Sequence, residues 1–142
     1  MFSENDFSNR KGKTKMKLLL LQNESIDKPT LVKTVDINDD DHLTDYYHYI
    51  NCRCIDMQEI TINDHYYDII FDDEFLMTEK PLPTLYVNEH TVIFNNVLFA
   101  RHDGYGNTIG LDDDDIQRIC DWLEGNEKRL RQWLFKMISS RK

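Results

Sequence analysis

Asp112, Asp113, Asp114 and Asp115 stand in a row in "GLDDDDIQRICDWL" (residues 110–123), and Asp39, Asp40 and Asp41 repeat the pattern in "INDDDHL" (37–43). Asp72, Asp73 and Glu74 make a third acidic run. Carboxylates this close can chelate a hard cation, cap a helix, or present a negative surface to a basic partner. An EF-hand loop needs D-x-[DN]-x-[DN]-G spacing and a closing Glu. Counted from Asp112, the glycine position is Gln117; counted from Asp103, Tyr105 and Thr108 stand where a carboxylate or amide and a glycine belong. Adjacent aspartates at a helix start also diverge rather than converge on two metals. The spacing therefore predicts a helix cap on a solvated face, because carboxylates satisfy free N–H groups and meet the positive end of the helix dipole. A cap needs only one or two of them. The surplus is what admits a binding role, and no metal is expected there.

His48, Cys52, Cys54 and His65 are all zinc-ligand types. C-x-C is a poor structural-zinc knuckle, and the expectation is a half-buried thiol pair with surface histidines. Cys120 falls on an apolar helical stripe and reads as core. No nucleophile motif surrounds any Cys or Ser, and no G-x-x-x-x-G-K-[ST] phosphate loop is present. Gly104-x-Gly106 sits in a turn. No catalytic residue and no cofactor are expected. The seven tyrosines read as half-buried faces, with Tyr49 alone lying off its helical stripe, as an interface tyrosine can.

The elements that must position these residues follow from periodicity. Residues 1–15 are polar, without a period, and read as a mobile tail. "MKLLLLQ" (16–22) reads as a buried strand and "TLVKTVDI" (30–37) as its hairpin partner. Leu43, Tyr46, Tyr47 and Ile50 mark a short helix face. "CIDMQEITI" and "HYYDIIF" flank Asn63-Asp64, a pair suited to a tight turn. "DDEFLMTEKPLP" (72–83) reads as a loop, "TLYVN" and "TVIFNNVLFA" as two strands, and "TIGL" as a last short one. Ile116, Ile119, Cys120 and Leu123 define a helix that Gly125 should stop, with Asn126 starting a second, basic and amphipathic one over 127–139 that packs Leu130, Leu134 and Met137 on the sheet. The expected fold is α+β: a single domain over 16–142 with a mostly antiparallel sheet, one short helix after the first hairpin, and a C-terminal helical pair.

"MKLLLL" at 16, one short helix, "VIFNN" to "VLFAR", then "GNTIGLDDDDIQRI" resemble a small uncharacterised family of phage, plasmid and conjugative-element proteins. The likeness covers about residues 16–119. It departs by a 15-residue N-terminal extension, a basic C-terminal helix and the lack of a glycine-rich centre. The resemblance implies a mobile-element accessory protein and carries no catalytic motif.

Charge then narrows the partner. Of 142 residues, 36–124 hold 21 Asp/Glu against four Lys/Arg, while 1–35 and 125–142 are net basic. Phosphate contact needs Lys and Arg, so the acidic body is not expected to bind nucleic acid directly. It suits a basic protein. No segment approaches the ~20 apolar residues of a membrane span, and three cysteines make no disulfide framework. The expectation is a protein of the bacterial host cytoplasm: a non-enzymatic anti-defence inhibitor whose acidic runs enter the positive nucleic-acid groove of a host nuclease, such as a Cas9-type CRISPR effector or a restriction enzyme. An acidic soluble accessory domain without mimicry, and a zinc- or metal-dependent enzyme, stay open as alternatives. So does a homodimer.

Overall fold

Four consecutive leucines, Leu18 to Leu21, can all be buried in one strand only if both faces of its sheet are covered, because successive side chains alternate between faces. That is the arrangement in the computed structural model, which describes residues 15–25, 28–38, 41–74 and 81–139. The expected N-terminal tail lies outside the described residues, apart from Lys15, which opens the first strand.

The strands are β1 (Lys15–Gln22), β2 (Leu31–Asn38), β3 (Ile55–Ile62), β4 (His65–Asp72), β5 (Pro83–Asn88), β6 (Thr91–Phe94), β7 (Val97–His102) and β8 (Thr108–Ile109); the helices are α1 (His42–Ile50) and α2 (Asp113–Ser139). The main sheet runs β2-β1-β7-β4-β3, all antiparallel, with β8 paired to the end of β7. Beyond the β1–β7 pairing, the Leu111 N–H donates to the Lys17 carbonyl at 2.8 Å, so the chain leaving β8 continues along β1. Gly110 fits that close approach: a Cβ there would lie 3.0 Å from the Lys17 backbone nitrogen, a contact that β1 would have to yield to.

On one face, Leu18 and Leu20 pack with Val35, Ile37, Ile70 and Leu98 under Tyr46 and Ile50 of α1. On the other, Leu19 and Leu21 pack with Ile69 and Phe99 under Ile119 of α2 and under Leu85 and Ile93 of the separate β5–β6 hairpin. Each fully buried leucine contributes about 1.5–3 kcal/mol of transfer free energy. The face of α1 is narrower than its spacing suggests: Tyr46 and Ile50 are buried, but Leu43 and Tyr47 are exposed.

Local turn chemistry holds where expected. Asn63 and Asp64 both take positive φ, 49° and 67°, in the β3–β4 turn. Two expectations are corrected. "TVIFNNVLFA" is two strands, because Asn95 takes φ 67° and is tied to the β5 entry by its N–H to the Leu82 carbonyl at 2.7 Å. The C-terminal helical pair is one helix of 27 residues. Gly125 does not stop it, because the Asn126 side chain is used elsewhere: it accepts from the Tyr86 N–H at 3.0 Å and donates to the Tyr86 carbonyl at 2.6 Å. That pairing completes backbone groups of β5 and locks the helix through the position where it was expected to break.

Leu130 is buried in α2 and Leu134 is half-buried, but Met137 is exposed, as are Phe135 and Ile138. The expected packing of this segment therefore ends near Leu134.

Candidate functional site

The three acidic runs do not share one face. The strand registers place the end of β2, the start of β1 and the end of β7 at one end of the sheet, together with the β3–β4 and β7–β8 turns. Asp41 follows β2 at this end, and Lys17 of β1 reaches Asp113 at 3.5 Å, which brings the start of α2 to the same end. Asp72 to Glu74 lie at the opposite end, beside Gln22, Asn51 and Asn96. Asp72 is buried and accepts from the Glu74 N–H at 2.8 Å, so it shapes a turn and is withdrawn from the surface; Asp73 is exposed and Glu74 half-buried. Asp39 and Asp40 lie outside the described residues. Asp41 stands at the N-cap of α1 but makes no cap hydrogen bond; it accepts from the Thr44 hydroxyl at 3.0 Å.

The run Asp112–Asp115 divides by direction. Asp112 and Asp115 cap each other's backbone: the Asp115 N–H donates to the Asp112 carboxylate at 2.8 Å, and the Asp112 N–H donates to the Asp115 carboxylate at 3.0 Å. This is a reciprocal capping box with an aspartate in the usual Glu position. The Asp115 carboxylate then turns into the protein, where it is 4% exposed. There it accepts from the Tyr67 hydroxyl at 2.7 Å and lies 3.2 Å from both Arg118 Nη1 and Arg101 Nε. Burial pushes its acidity down, but the Asp112 N–H, the Tyr67 hydroxyl and Arg101 outweigh that and hold the carboxyl below the usual aspartate value. Asp115 is therefore corrected from a surface acid to a structural one. Asp112, Asp113 and Asp114 are exposed.

On the opposite face of the same sheet end, Glu59 of β3, Asp68 of β4 and His102 of β7 meet. Glu59 and Asp68 are direct cross-strand partners. His102 Nδ1 lies 2.9 Å from Asp68 Oδ2, and its Nε2 lies 3.6 Å from Glu59 Oε2. Asp68 is buried, whereas Glu59 and His102 are exposed. The hydrogen bond and charge of Asp68 raise the His102 pKa. Among the described residues this is the group of three metal-capable side chains that converge, one donor atom from each lying within 4.8 Å of the others. The sequence carried half of the signal: Glu59 and Asp68 are equidistant from the Asn63-Asp64 turn, so that hairpin alone sets them opposite each other. His102 joins only because β7 lies beside β4, which no local pattern reveals.

The set His48, Cys52, Cys54 and His65 is not gathered. Cys54 precedes β3 at the end where Ile55 pairs with Asp72, and His65 lies at the far end of the same ladder, opposite Ile62. Burial and the nearby Asp72 charge push the Cys52 thiol up to about 11, so it stays protonated and weakly nucleophilic at neutral pH. Burial likewise raises Cys120, which packs against the core as expected. A cleft of about 500 Å³ beneath α2 is lined by aliphatic side chains such as Leu21, Leu123 and Leu130, by the amide Asn126, and by the charged Lys28 and Glu127. No helix among the described residues is long and apolar enough to cross a membrane.

A sequence model of the family described as Domain of unknown function (DUF3846) matches residues 16–124, and the chain belongs to that family. No curated protein and no solved structure matches it.

Proposed function

We propose, with membership of this family of unknown function as the premise, that the protein is a non-enzymatic anti-defence inhibitor of a phage or other mobile element. It acts in the bacterial host cytoplasm and uses acidic surface to occupy the positive nucleic-acid groove of a host nuclease. One observation carries the reading: the end of the sheet that gathers Asp41, Asp64, Asp103, Asp112, Asp113 and Asp114 has its arginines turned inward. Arg101 and Arg118, two of the four cations in residues 36–124, are both engaged with Asp115. Lys17 offsets one of the exposed charges through Asp113, but Asp112 and Asp114 remain in excess, and the resulting negative field steers a basic partner over long range. A groove built for duplex DNA meets about one charge per ~1.7 Å of axis, so closely spaced carboxylates are the relevant feature. Asp73 and Glu74, at the other end, contribute to a second contact only if the partner spans the sheet.

The test is cleavage of DNA by purified restriction endonucleases and by an RNA-guided effector nuclease, with this protein added in excess over the enzyme. Inhibition that DNA competes away, that weakens as salt rises, and that is lost in an Asp41→Asn/Asp113→Asn/Asp114→Asn variant is the expected result. Full activity of every nuclease, together with unchanged phage plating on defence-carrying hosts that express the protein, would sink the reading.

A further inference from the structure

We propose that Glu59, Asp68 and His102 form a binding site for a divalent first-row transition-metal ion, with zinc the closest chemical match. Asp68 is a buried carboxylate, and the imidazole Nδ1 of His102 lies 2.9 Å from it, so Nδ1 carries the hydrogen and donates it. In the neutral ring, the form that binds a metal, this fixes the tautomer and leaves the Nε2 lone pair on the side of Glu59.

Nε2 and Glu59 Oε2 are 3.6 Å apart. This is too long for a hydrogen bond. It suits two ligands of one ion: metal–ligand distances of about 2.0–2.1 Å to each atom would give an N–metal–O angle of roughly 120°, near the tetrahedral range that zinc accepts. Asp68 then plays the outer-shell carboxylate that orients a metal-bound histidine and raises its basicity. Glu59 can add its second oxygen, and water completes the coordination, since Glu59 and His102 both face solvent.

The ladder itself favours a cation. Glu59 and Asp68 are direct cross-strand neighbours, an arrangement in which like charges destabilise the pair. A bound ion relieves that repulsion and ties β3, β4 and β7 together. One imidazole with carboxylates selects zinc, cobalt or manganese over magnesium or calcium, whose sites are built from oxygen alone. The site shares no residue with the acidic surface of the preceding reading, so either can fail without the other.

The experiment is titration of the full chain, stripped with chelator, by zinc chloride in mildly alkaline buffer, followed by calorimetry and by thermal melting. One equivalent of zinc should bind and raise the melting temperature. Glu59→Gln and His102→Gln, both at exposed side chains, should each weaken binding at least tenfold, and Asp68→Asn should weaken it about 10- to 100-fold while keeping one-to-one stoichiometry. A Cys52→Ser/Cys54→Ser variant should bind as the natural chain does. If Asp68→Asn fails to fold, the two exposed variants decide alone. No zinc uptake by the natural chain, or uptake unchanged in both Glu59→Gln and His102→Gln, overturns the proposal; the triad would then be a histidine bridging two carboxylates.

Discussion

Tyr67 donates its hydroxyl hydrogen to the Asp115 carboxylate at 2.7 Å and accepts from Arg118 Nη1 at 2.6 Å, joining the start of β4 to the first two turns of α2. Removing the carboxylate would take away the counter-charge of both arginines and the acceptor of the Tyr67 hydroxyl, leaving Arg118 on the phenol oxygen and Arg101 Nε on the Gly110 carbonyl at 3.0 Å. Breaking a buried ion pair costs about 3–5 kcal/mol. Both arginines keep partial access to water, so Asp115→Ala should cost less, about 2–3 kcal/mol. Urea melts check this; a loss under about 0.5 kcal/mol would mean that Asp115 behaves as an ordinary surface acid.

Asp114 is the control one residue away. It is exposed and has neighbours of its own sign. Asp114→Asn should change stability by no more than about 0.5 kcal/mol in either direction. Asp112→Ala, which removes one half of the reciprocal cap, should cost about 1 kcal/mol. Equal effects of the two substitutions would contradict the division of the run into cap and surface.

That division was half legible in the sequence. The buried positions of α2 include Asp115, Ile119, Asn126 and Leu130, and extending the stripe of Ile119 back by one turn lands on Asp115. The aspartate's identity argued for solvent, and its partners Tyr67 and Arg101 come from strands far away in the chain. The Leu18–Leu21 strand and the Asn63-Asp64 turn were readable because their causes are local: a continuous apolar run and a positive-φ pair. The break expected at Gly125-Asn126 used equally local signals. It failed because Asn126 finds a tertiary partner in Tyr86, and side-chain contact between elements outweighs a weak cap preference. The acidic runs were visible as composition, but which end of the sheet each occupies depends on strand order.

The acid limb of stability should report Asp115. Its pKa is lowered in the folded protein from the model-compound value of 3.8. A group with a depressed folded pKa stabilises the fold above its unfolded pKa, and that contribution disappears as pH falls through the folded value. Natural protein should therefore lose stability progressively below about pH 3.8, as the unfolded state takes up the proton first. Asp115→Asn should start less stable and show a shallower slope over that window. Parallel pH profiles for the two proteins would assign the acid limb to other carboxylates.

Gly125 and Asn126 should respond in opposite directions. Gly125 lies in mid-helix, it is exposed, and a Cβ built on it meets nothing within 4 Å. Alanine costs no contact there and removes backbone freedom from the unfolded chain, so Gly125→Ala should stabilise by about 0.5–1 kcal/mol. A glycine ending a helix in the left-handed conformation would give the reverse sign, because alanine is strained at positive φ. Asn126→Ala should destabilise by about 2 kcal/mol, since it leaves the Tyr86 N–H and carbonyl without their side-chain partner beside a buried site. Thermal melts of the two single variants decide the matter: a destabilised Gly125→Ala together with a neutral Asn126→Ala would restore two helices in place of one.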